Sequence, residues 1–339
     1  MTGRSSSLAV AVTTSVGLAV VVGLSVWQGL QTIAEILGQV GHRILWLGPL
    51  WVVPLLLAAF AWRVMFVGRA PPSSVLVGAR WVGFSVNQLL PVARVGGEVV
   101  RGRLASLGSR SQIRPAEAFA AVVADKTAVV ASIVTYACIG LGLLLMYRVD
   151  ASTAWTAGVG ALLLAAGGVG FYSAQRRGLI SFLGRGLKML VPQGRKEGTQ
   201  VGADRVQEEL SRVYDEPWRL WTGVFLHVLF RLGLSLEVYL ALAWTGHPVP
   251  FWQAAVIESL TQVLRAAAFM IPGALGAQEG SFILLGALFG IPAPVGLSVS
   301  LCKRARELMV GIPGLIVWQV WEGRGLFKGR KGSAAPQAS

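Results

Sequence analysis

Long apolar stretches, interrupted at a few places by charges, glycines and prolines, dominate the pattern of this chain. Apolar runs about as long as a bilayer is thick lie at residues 8–27, 44–67, 116–146, 153–173 and 219–245. A helix needs about 20 such residues to cross a membrane. The two-residue alternation of membrane β-strands is absent. The pattern therefore predicts an all-α, polytopic transmembrane helical bundle with about six to eight spans. Residues 8–27 are interpreted as a retained helix rather than a cleaved signal peptide, whose apolar region is shorter.

Residues 73–91 form a different kind of segment. They are apolar but short, carry Arg80 and Asn87, and stop at Pro91. Such a profile is typical of a re-entrant or broken helix, which a membrane tolerates only where protein or a water-filled cavity covers it. Residues 251–271 have the same character because Glu258 and Arg265 interrupt them.

Both interrupted segments lead into similar motifs. PVARVGGE runs from Pro91 to Glu98, and PGALGAQE runs from Pro272 to Glu279. Each motif places glycines between a proline and a carboxylate, which predicts two broken helices in an internal repeat. Paired interrupted segments of this kind point to the substrate site of a transporter. An inverted repeat is favoured, since 251–271 makes a poor lipid-exposed span; the alternative has both motifs on the cytoplasmic side.

Further spans are predicted at 281–301 and 306–321, and the remaining polar segments divide the chain. A basic amphipathic connector occupies 174–217, and a basic, disordered tail occupies 323–339. The chain is thus predicted to be one integral membrane domain, with a first half at 1–173 and a second half at 218–322.

Composition excludes several classes of protein. Of 339 residues, 54% are hydrophobic and 14% are charged, against about 25% charged in soluble domains. The net charge of +14 is not accompanied by any nucleic-acid-binding module. We therefore interpret the basic residues as groups that orient the protein in the membrane and attract anionic lipid. Basic residues concentrate at 68–115, at 174–217 and in the tail, which predicts that both termini face the cytoplasm. Cys138 and Cys302 are interpreted as small core residues.

The first motif carries a candidate anion site. Arg94, Glu98 and Arg101 have the spacing of one helix face, and Gly96 and Gly97 would let backbone N–H groups approach a head group. Two arginines suit a phosphate, and Glu98 would either hold an arginine in place or bind a cationic head group. The alternative is an interfacial ion pair beside arginines that only set orientation.

Other charges in apolar surroundings are also candidates. A carboxylate inside the membrane costs at least about 2.5–3.5 kcal/mol on insertion scales, so Glu258 and Glu279 need partners. Arg265 is the nearest partner for Glu258. Asp125 and Lys126 are neighbours that point in different directions, and either can contact the first motif. His227 is expected to be hydrogen-bonded within the bundle, with a proton relay as the alternative.

The sequence thus predicts a lipid-binding site, but no catalytic set, metal site or cofactor. We expect a non-enzymatic protein. The candidate residues are Asn87, Pro91, Arg94, Gly96, Gly97, Glu98, Arg101, Asp125, Lys126, Glu258, Arg265, Pro272, Gly273, Gly276 and Glu279.

Three segments resemble a known family. NQLLPVARVGGEVVRGRL and IPGALGAQEGSFILLGALFG are similar to the two signatures of the lysylphosphatidylglycerol-synthase-type transmembrane region, a flippase-like membrane family. SLCKRARELMVGIPGLIVWQ is similar to a branch associated with hopanoid biosynthesis. The family motif falls on nine residues: Asn87, Pro91, Gly96, Glu98, Arg101, Pro272, Gly273, Gly276 and Glu279.

The resemblance implies a helical bundle with re-entrant segments that moves or binds lipids in the bacterial cytoplasmic membrane. The soluble aminoacyltransferase domain of bifunctional members is expected to be absent. A lipid translocator for an anionic or amphipathic lipid is the first hypothesis. The second hypothesis is a scaffold that docks a lipid-biosynthesis enzyme through residues 174–217. The third, a membrane-embedded transferase, is the weakest because the sequence shows no catalytic group.

Overall fold

The computed structural model describes residues 35, 37–90, 96–107, 113–146, 166–178, 196–268 and 276–332. All regular secondary structure in these residues is helical. The all-α class is therefore confirmed.

The helices fall into two groups along the chain. A 3-10 turn at Gly41–Trp46 leads into α1 (Leu47–Leu50), α2 (Val52–Val64), α3 (Ser73–Leu89), α4 (Gly96–Leu107) and α5 (Pro115–Met146). Residues 166–176 are also helical. The second group comprises α6 (Lys196–Tyr214), α7 (Pro217–Trp244), α8 (Phe251–Ala267), α9 (Ala277–Ala287) and α10 (Ala293–Gly332).

Three described helices are long and apolar enough to cross a membrane. They are Leu37–Val64, Pro115–Met146 and Pro217–Trp244, which match the predicted spans at 44–67, 116–146 and 219–245. The chain is a multi-pass membrane protein. Large apolar side chains on their outer faces support membrane embedding, among them Val53, Phe60, Trp221 and Phe225. The predicted span at 8–27 and most of that at 153–173 lie outside the described residues.

Two helical hairpins contain the interrupted segments. α3 packs against α4, and α8 packs against α9. Both α3 and α8 begin directly after an extended proline, Pro72 or Pro250, and both are 17 residues long. At 1.5 Å per residue each is about 26 Å long, which is less than the roughly 30 Å of a hydrocarbon core. The helix breaks that the motifs predict are confirmed at both places, while the internal repeat and its inversion stay predictions.

The predicted spans at 281–301 and 306–321 are wrong in their boundaries. The chain turns after α9 because Gly290 adopts a φ of 72°, and α10 begins just after Pro292. α10 then continues without a break to Gly332, with Pro313 inside it. It therefore also runs through 323–332, where the sequence predicted a disordered tail.

Each hairpin packs against a long helix that follows the other hairpin. α3 contacts α10, and α8 contacts α5, while α7 contacts both α2 and α5 near the centre. Small residues permit these close crossings: a Cβ on Gly140 would overlap the hydroxyl of Ser259, and one on Gly314 would overlap that of Ser85. The indole N–H of Trp81 in α3 also donates to the carbonyl of Val310 in α10, at 2.8 Å.

The connector helix α6 is anchored to α5. Leu210, Val213 and Tyr214 are buried against the bundle. The Tyr214 hydroxyl lies 2.8 Å from that of Thr127 and 2.5 Å from Gln175 Oε1. Burial raises the pKa of Tyr214 to about 12, so its hydroxyl stays neutral and holds α6 by hydrogen bonds.

Candidate functional site

Asp125 is the centre of a buried charged cluster where four helices meet. Its Oδ2 accepts hydrogen bonds from Arg80 of α3, at 2.5 Å, and from Arg101 of α4, at 2.8 Å. Its Oδ1 lies 2.8 Å from Nε2 of His227 in α7. The Asp125 side chain is completely buried. A single carboxylate on α5 therefore links the first hairpin, formed by α3 and α4, to α7.

Arg101 connects this carboxylate to the first motif. Its Nη2 lies 2.8 Å from Glu98 Oε2, as predicted for Glu98, and its guanidinium stacks 4.6 Å from the ring centre of Trp62. Glu98 also binds the Lys126 ammonium, at 3.0 Å. Asp125 and Lys126 thus contact the hairpin through different partners, in keeping with their opposite directions on α5. Arg80, Glu98, Arg101, Asp125, Lys126 and His227 form what we call the first cluster.

A cavity of about 170 Å³ opens beside the first cluster. Charged and amide side chains of α3, α4 and α5 line it, with Phe84 and two glycines; they include Arg80, Asn87, Gln88, Glu98, Arg101 and Lys126. Pockets for drug-sized ligands are usually about 300–1,000 Å³. The cavity therefore fits a small polar group and not a whole lipid.

The glycines of the first motif have a packing role. A Cβ on Gly97 would overlap the carbonyl oxygen of Gly83 and lie 2.6 Å from Cγ of Asn87. The Gly97 N–H donates to Asn87 Oδ1 at 2.9 Å. Gly97 therefore allows α3 and α4 to touch, and its N–H already binds within the hairpin. In the second motif, Gly276 has a φ of 80° and its N–H donates to Glu279 Oε2 at 2.8 Å.

A second charged cluster lies at the crossing of α7, α8 and α10. Lys303 of α10 is buried and donates to Glu258 Oε2 at 2.9 Å, with Glu237 Oε2 at 3.7 Å. Arg306 donates to the same Glu237 oxygen at 3.1 Å. Glu258 also accepts a hydrogen bond from Gln262 at 2.7 Å. The prediction that Arg265 pairs with Glu258 is wrong, because the two are about two helical turns apart and the crossing helix supplies the partner.

The second cluster extends to the second motif. Arg265 donates to Glu307 at 3.1 Å, and Arg304 bridges Glu307 and Glu279, at 3.1 and 2.9 Å. All four carboxylates in this group are buried. The second cluster consists of Glu237, Glu258, Arg265, Glu279, Lys303, Arg304, Arg306 and Glu307.

The two clusters differ in charge balance. In the second, four carboxylates face four cations. In the first, with His227 neutral, the three cations Arg80, Arg101 and Lys126 face two carboxylates, Glu98 and Asp125. The first cluster thus carries one excess positive charge beside a cavity. In addition, Nε of Arg101 is buried and makes no hydrogen bond to any described residue.

The structure assembles the predicted residues into two groups rather than one. Asn87, Gly96, Gly97, Glu98, Arg101, Asp125 and Lys126 lie in or beside the first cluster, and Glu258, Arg265, Gly276 and Glu279 lie in or beside the second. Pro91, Arg94, Pro272 and Gly273 lie outside the described residues. The sequence did not place Arg80, Trp62 or Glu237 in a site, although Arg80 and Glu237 stand out as charges in apolar runs.

A model of the lysylphosphatidylglycerol synthase transmembrane region matches residues 14–314. The chain belongs to this family. Comparisons with curated proteins and with solved structures returned no match. Membership in the lysylphosphatidylglycerol synthase transmembrane-region family indicates a membrane protein involved in lipid handling, and the matched range includes both hairpins and both clusters.

Proposed function

We propose that the protein translocates an amphipathic lipid, whose anionic head group binds in the cavity of the first cluster. The observation that carries the proposal is the excess positive charge of the first cluster beside a cavity within the helical bundle. A head group fits the cavity in size, and Arg80 and Arg101 offer donors for a phosphate. The acyl or polycyclic part of the lipid would stay in the surrounding membrane.

The cost of the buried charges supports a functional role for them. Each charged side chain near the centre of a membrane costs about 2.5–3.5 kcal/mol on insertion scales, and such residues usually mark a substrate or ion pathway. The second cluster is balanced within itself, so packing alone can explain its retention. The first cluster has an unbalanced positive charge, which attracts an anionic head group.

The identity of the transported lipid and of any partner is also a proposal. We infer an anionic or amphipathic membrane lipid, and a hopanoid-related lipid remains the sequence-based prediction for its class. We propose no enzymatic activity, because the two clusters pair charges and contain no activated nucleophile.

A scaffold for a lipid-biosynthesis enzyme is the second candidate function. It is favoured by α6, which packs on α5 and presents the charged side chains of Glu208 and Arg212 to solvent. A scaffold needs the exposed face of α6 but makes no use of a charged cavity. The two functions therefore predict different sensitive residues.

Lipid movement in reconstituted vesicles tests the proposal. We expect Arg101→Gln to lower the rate at which a labelled anionic phospholipid crosses the bilayer by about tenfold or more, since a hydrogen bond to a charged group contributes about 1.5–3 kcal/mol. Fluorescent lipid and a membrane-impermeant quencher give the rate.

Arg103→Gln is the matched control, because Arg103 lies on the same helix and is exposed. We expect this variant to transport like the unaltered protein. Equal rates for Arg101→Gln and the unaltered protein, at equal reconstitution, would show that the first cluster does not carry lipid. Rates no higher than in empty vesicles for every form would favour the scaffold.

Placement in the bacterial cytoplasmic membrane with both termini inside is also a proposal. The inverted version of the repeat puts the second motif on the outer side. In a cysteine-free background, Ala277→Cys tests it with a membrane-impermeant thiol reagent added to each face in turn. We expect labelling from outside; labelling confined to the cytoplasmic face would exclude inversion.

A further inference from the structure

The carboxylate of Asp125 is shared by more cations than it can neutralise. Its Oδ2 binds both Arg80 and Arg101, and its Oδ1 binds His227. The side chains of Asp125, Arg101 and His227 are at most 2% exposed. Asp125 therefore shares one negative charge between two guanidinium groups, of which that of Arg101 also pairs with Glu98. Among the described partners of Asp125, the imidazole is the one whose charge changes near neutral pH.

The charged groups around His227 come from three other helices and from its own. Asp125 of α5 binds it directly, while Arg80 of α3 and Arg101 of α4 face it across the shared carboxylate. Arg231 lies one turn further along α7 and donates to the Ser132 hydroxyl and to the Val129 carbonyl. With the cavity empty, burial and the nearby arginines oppose a proton on His227, and among the described charged groups Asp125 favours it.

We propose that His227 takes up a proton when a phosphate-bearing anion binds in the cavity, so that the first cluster binds an anionic head group and a proton together. This inference rests on the proposed function and adds proton linkage to it. The proton comes from water and returns to water when the anion leaves. Apart from the N–H bond that the proton makes with the imidazole, no covalent bond forms or breaks, and the net charge of the cluster with its bound anion and proton equals that of the empty cluster.

Competition for the two arginines provides the mechanism. A phosphate that accepts hydrogen bonds from Arg80 and Arg101 competes with Asp125 for them. As the guanidinium groups turn toward the anion, Asp125 keeps His227 as its remaining partner. The loss of positive neighbours and the exposed carboxylate charge both favour the imidazolium form. A pH difference across the membrane can therefore bias where the head group is bound and where it is released.

Thermodynamic linkage makes the effect measurable. If the anion promotes proton binding, the proton promotes anion binding by the same factor. With one linked proton, affinity for the anion rises by up to about tenfold for each unit that the pH falls through the titration of His227. Purified protein is titrated with dimethyl phosphate, a phosphodiester whose own charge is constant over this range. A second arm uses fluorescent phosphatidylglycerol.

Matched variants isolate the histidine. The chain has three histidines, and His42 and His247 are both exposed. We expect His227→Gln, which keeps a donor for Asp125, to bind with little dependence on pH. His42→Gln and His247→Gln should retain the dependence of the unaltered protein. If only the lipid binds, the site recognises a whole head group; if both probes bind, it recognises the phosphodiester. In either case, the pH dependence of the probe that binds tests the proton linkage.

A direct measurement of the titration of His227 keeps the proposal testable even if His227→Gln misfolds. The double variant His42→Gln/His247→Gln leaves His227 as the only histidine, so its ring can be followed by NMR. We expect it to titrate at higher pH with the probe bound than without it. Binding with an unchanged titration overturns proton linkage and leaves the proposed function standing. Failure of the unaltered protein to bind either probe at any pH overturns both.

Discussion

Replacing Asp125 with asparagine is expected to lower the free energy of unfolding by about 3–5 kcal/mol. Removing one partner of a buried ion pair leaves an uncompensated charge, and losses of this size follow. Here the substitution removes the carboxylate that Arg80 and Arg101 share, so that Arg80 keeps no carboxylate partner among the described residues and Arg101 keeps only Glu98. The side chain keeps its size, so the loss reports charge and not a cavity. Unfolding by SDS titration in mixed micelles measures it.

Two companion variants make the result interpretable. Asp215→Asn is the matched control, since Asp215 is exposed, and it should change stability by less than about 0.5 kcal/mol. Arg101→Met combined with Asp125→Asn should recover part of the loss, since one of the two cations that lose the shared carboxylate is removed. A loss below about 1 kcal/mol for Asp125→Asn alone would mean that the cluster is hydrated rather than dry.

The sequence identified most residues of the first cluster as candidates but did not predict which of them pair. Glu98, Arg101 and Asp125 stood out as charges in apolar surroundings, and intramembrane charges are rare enough to attract attention. Their pairing could not be predicted, because Arg80, Asp125 and His227 are joined only where three helices cross. Sequence spacing determines which residues share a helix face, but crossing geometry determines which faces meet.

The two glycine-rich motifs show a different limit of sequence reasoning. The glycines of the first motif predicted a backbone site for an anion, whereas Gly97 is required by the contact between α3 and α4. A glycine needed for close helix approach and one needed for ligand approach give the same sequence signal. The hydrogen bond from Gly97 to Asn87 distinguishes them, and it depends on a loop whose course the sequence does not specify.

The fold, like the site, was predicted only in part. Hydrophobic run lengths predicted the all-α class and three of the long spans, since burial in lipid requires them. The end of the chain was misjudged in two places: the predicted span at 281–301 continued through Pro292, where the chain turns, and the predicted gap between 301 and 306 falls inside α10. Pro292 follows a left-handed glycine and ends a turn, whereas Pro313 lies inside α10. Neighbouring helices tolerate a proline of the second kind, so proline alone does not mark a helix boundary in a membrane.

The contrast between the clusters assigns them different roles. Both are buried, and both link a hairpin to long helices. The first has a cavity and an excess charge, which suits exchange between Asp125 and a ligand. The second is neutral, since its four carboxylates are paired with four cations. We infer that the second cluster holds α7, α8 and α10 in register while the first binds the head group.

Lys303→Met is the variant that tests this structural role, and it should also lower the free energy of unfolding by about 3–5 kcal/mol. The Lys303 ammonium lies between Glu258 and Glu237, and only 1% of its side chain is exposed. Methionine fills a similar volume but leaves Glu258 with Gln262 as its remaining hydrogen-bond donor among the described residues. The same SDS titration gives the value.

The matched control for Lys303→Met is the same substitution at Lys126, whose side chain is 41% exposed and whose pairing with Glu98 is correspondingly weak. It should cost less than about 1 kcal/mol. Lys303→Met combined with Glu258→Gln should recover much of the loss, since the buried charges on α8 and α10 are then removed together. In vesicles, this double variant should still move lipid, because the first cluster is intact. A double variant as stable as the unaltered protein but unable to move lipid would place the second cluster on the transport path as well.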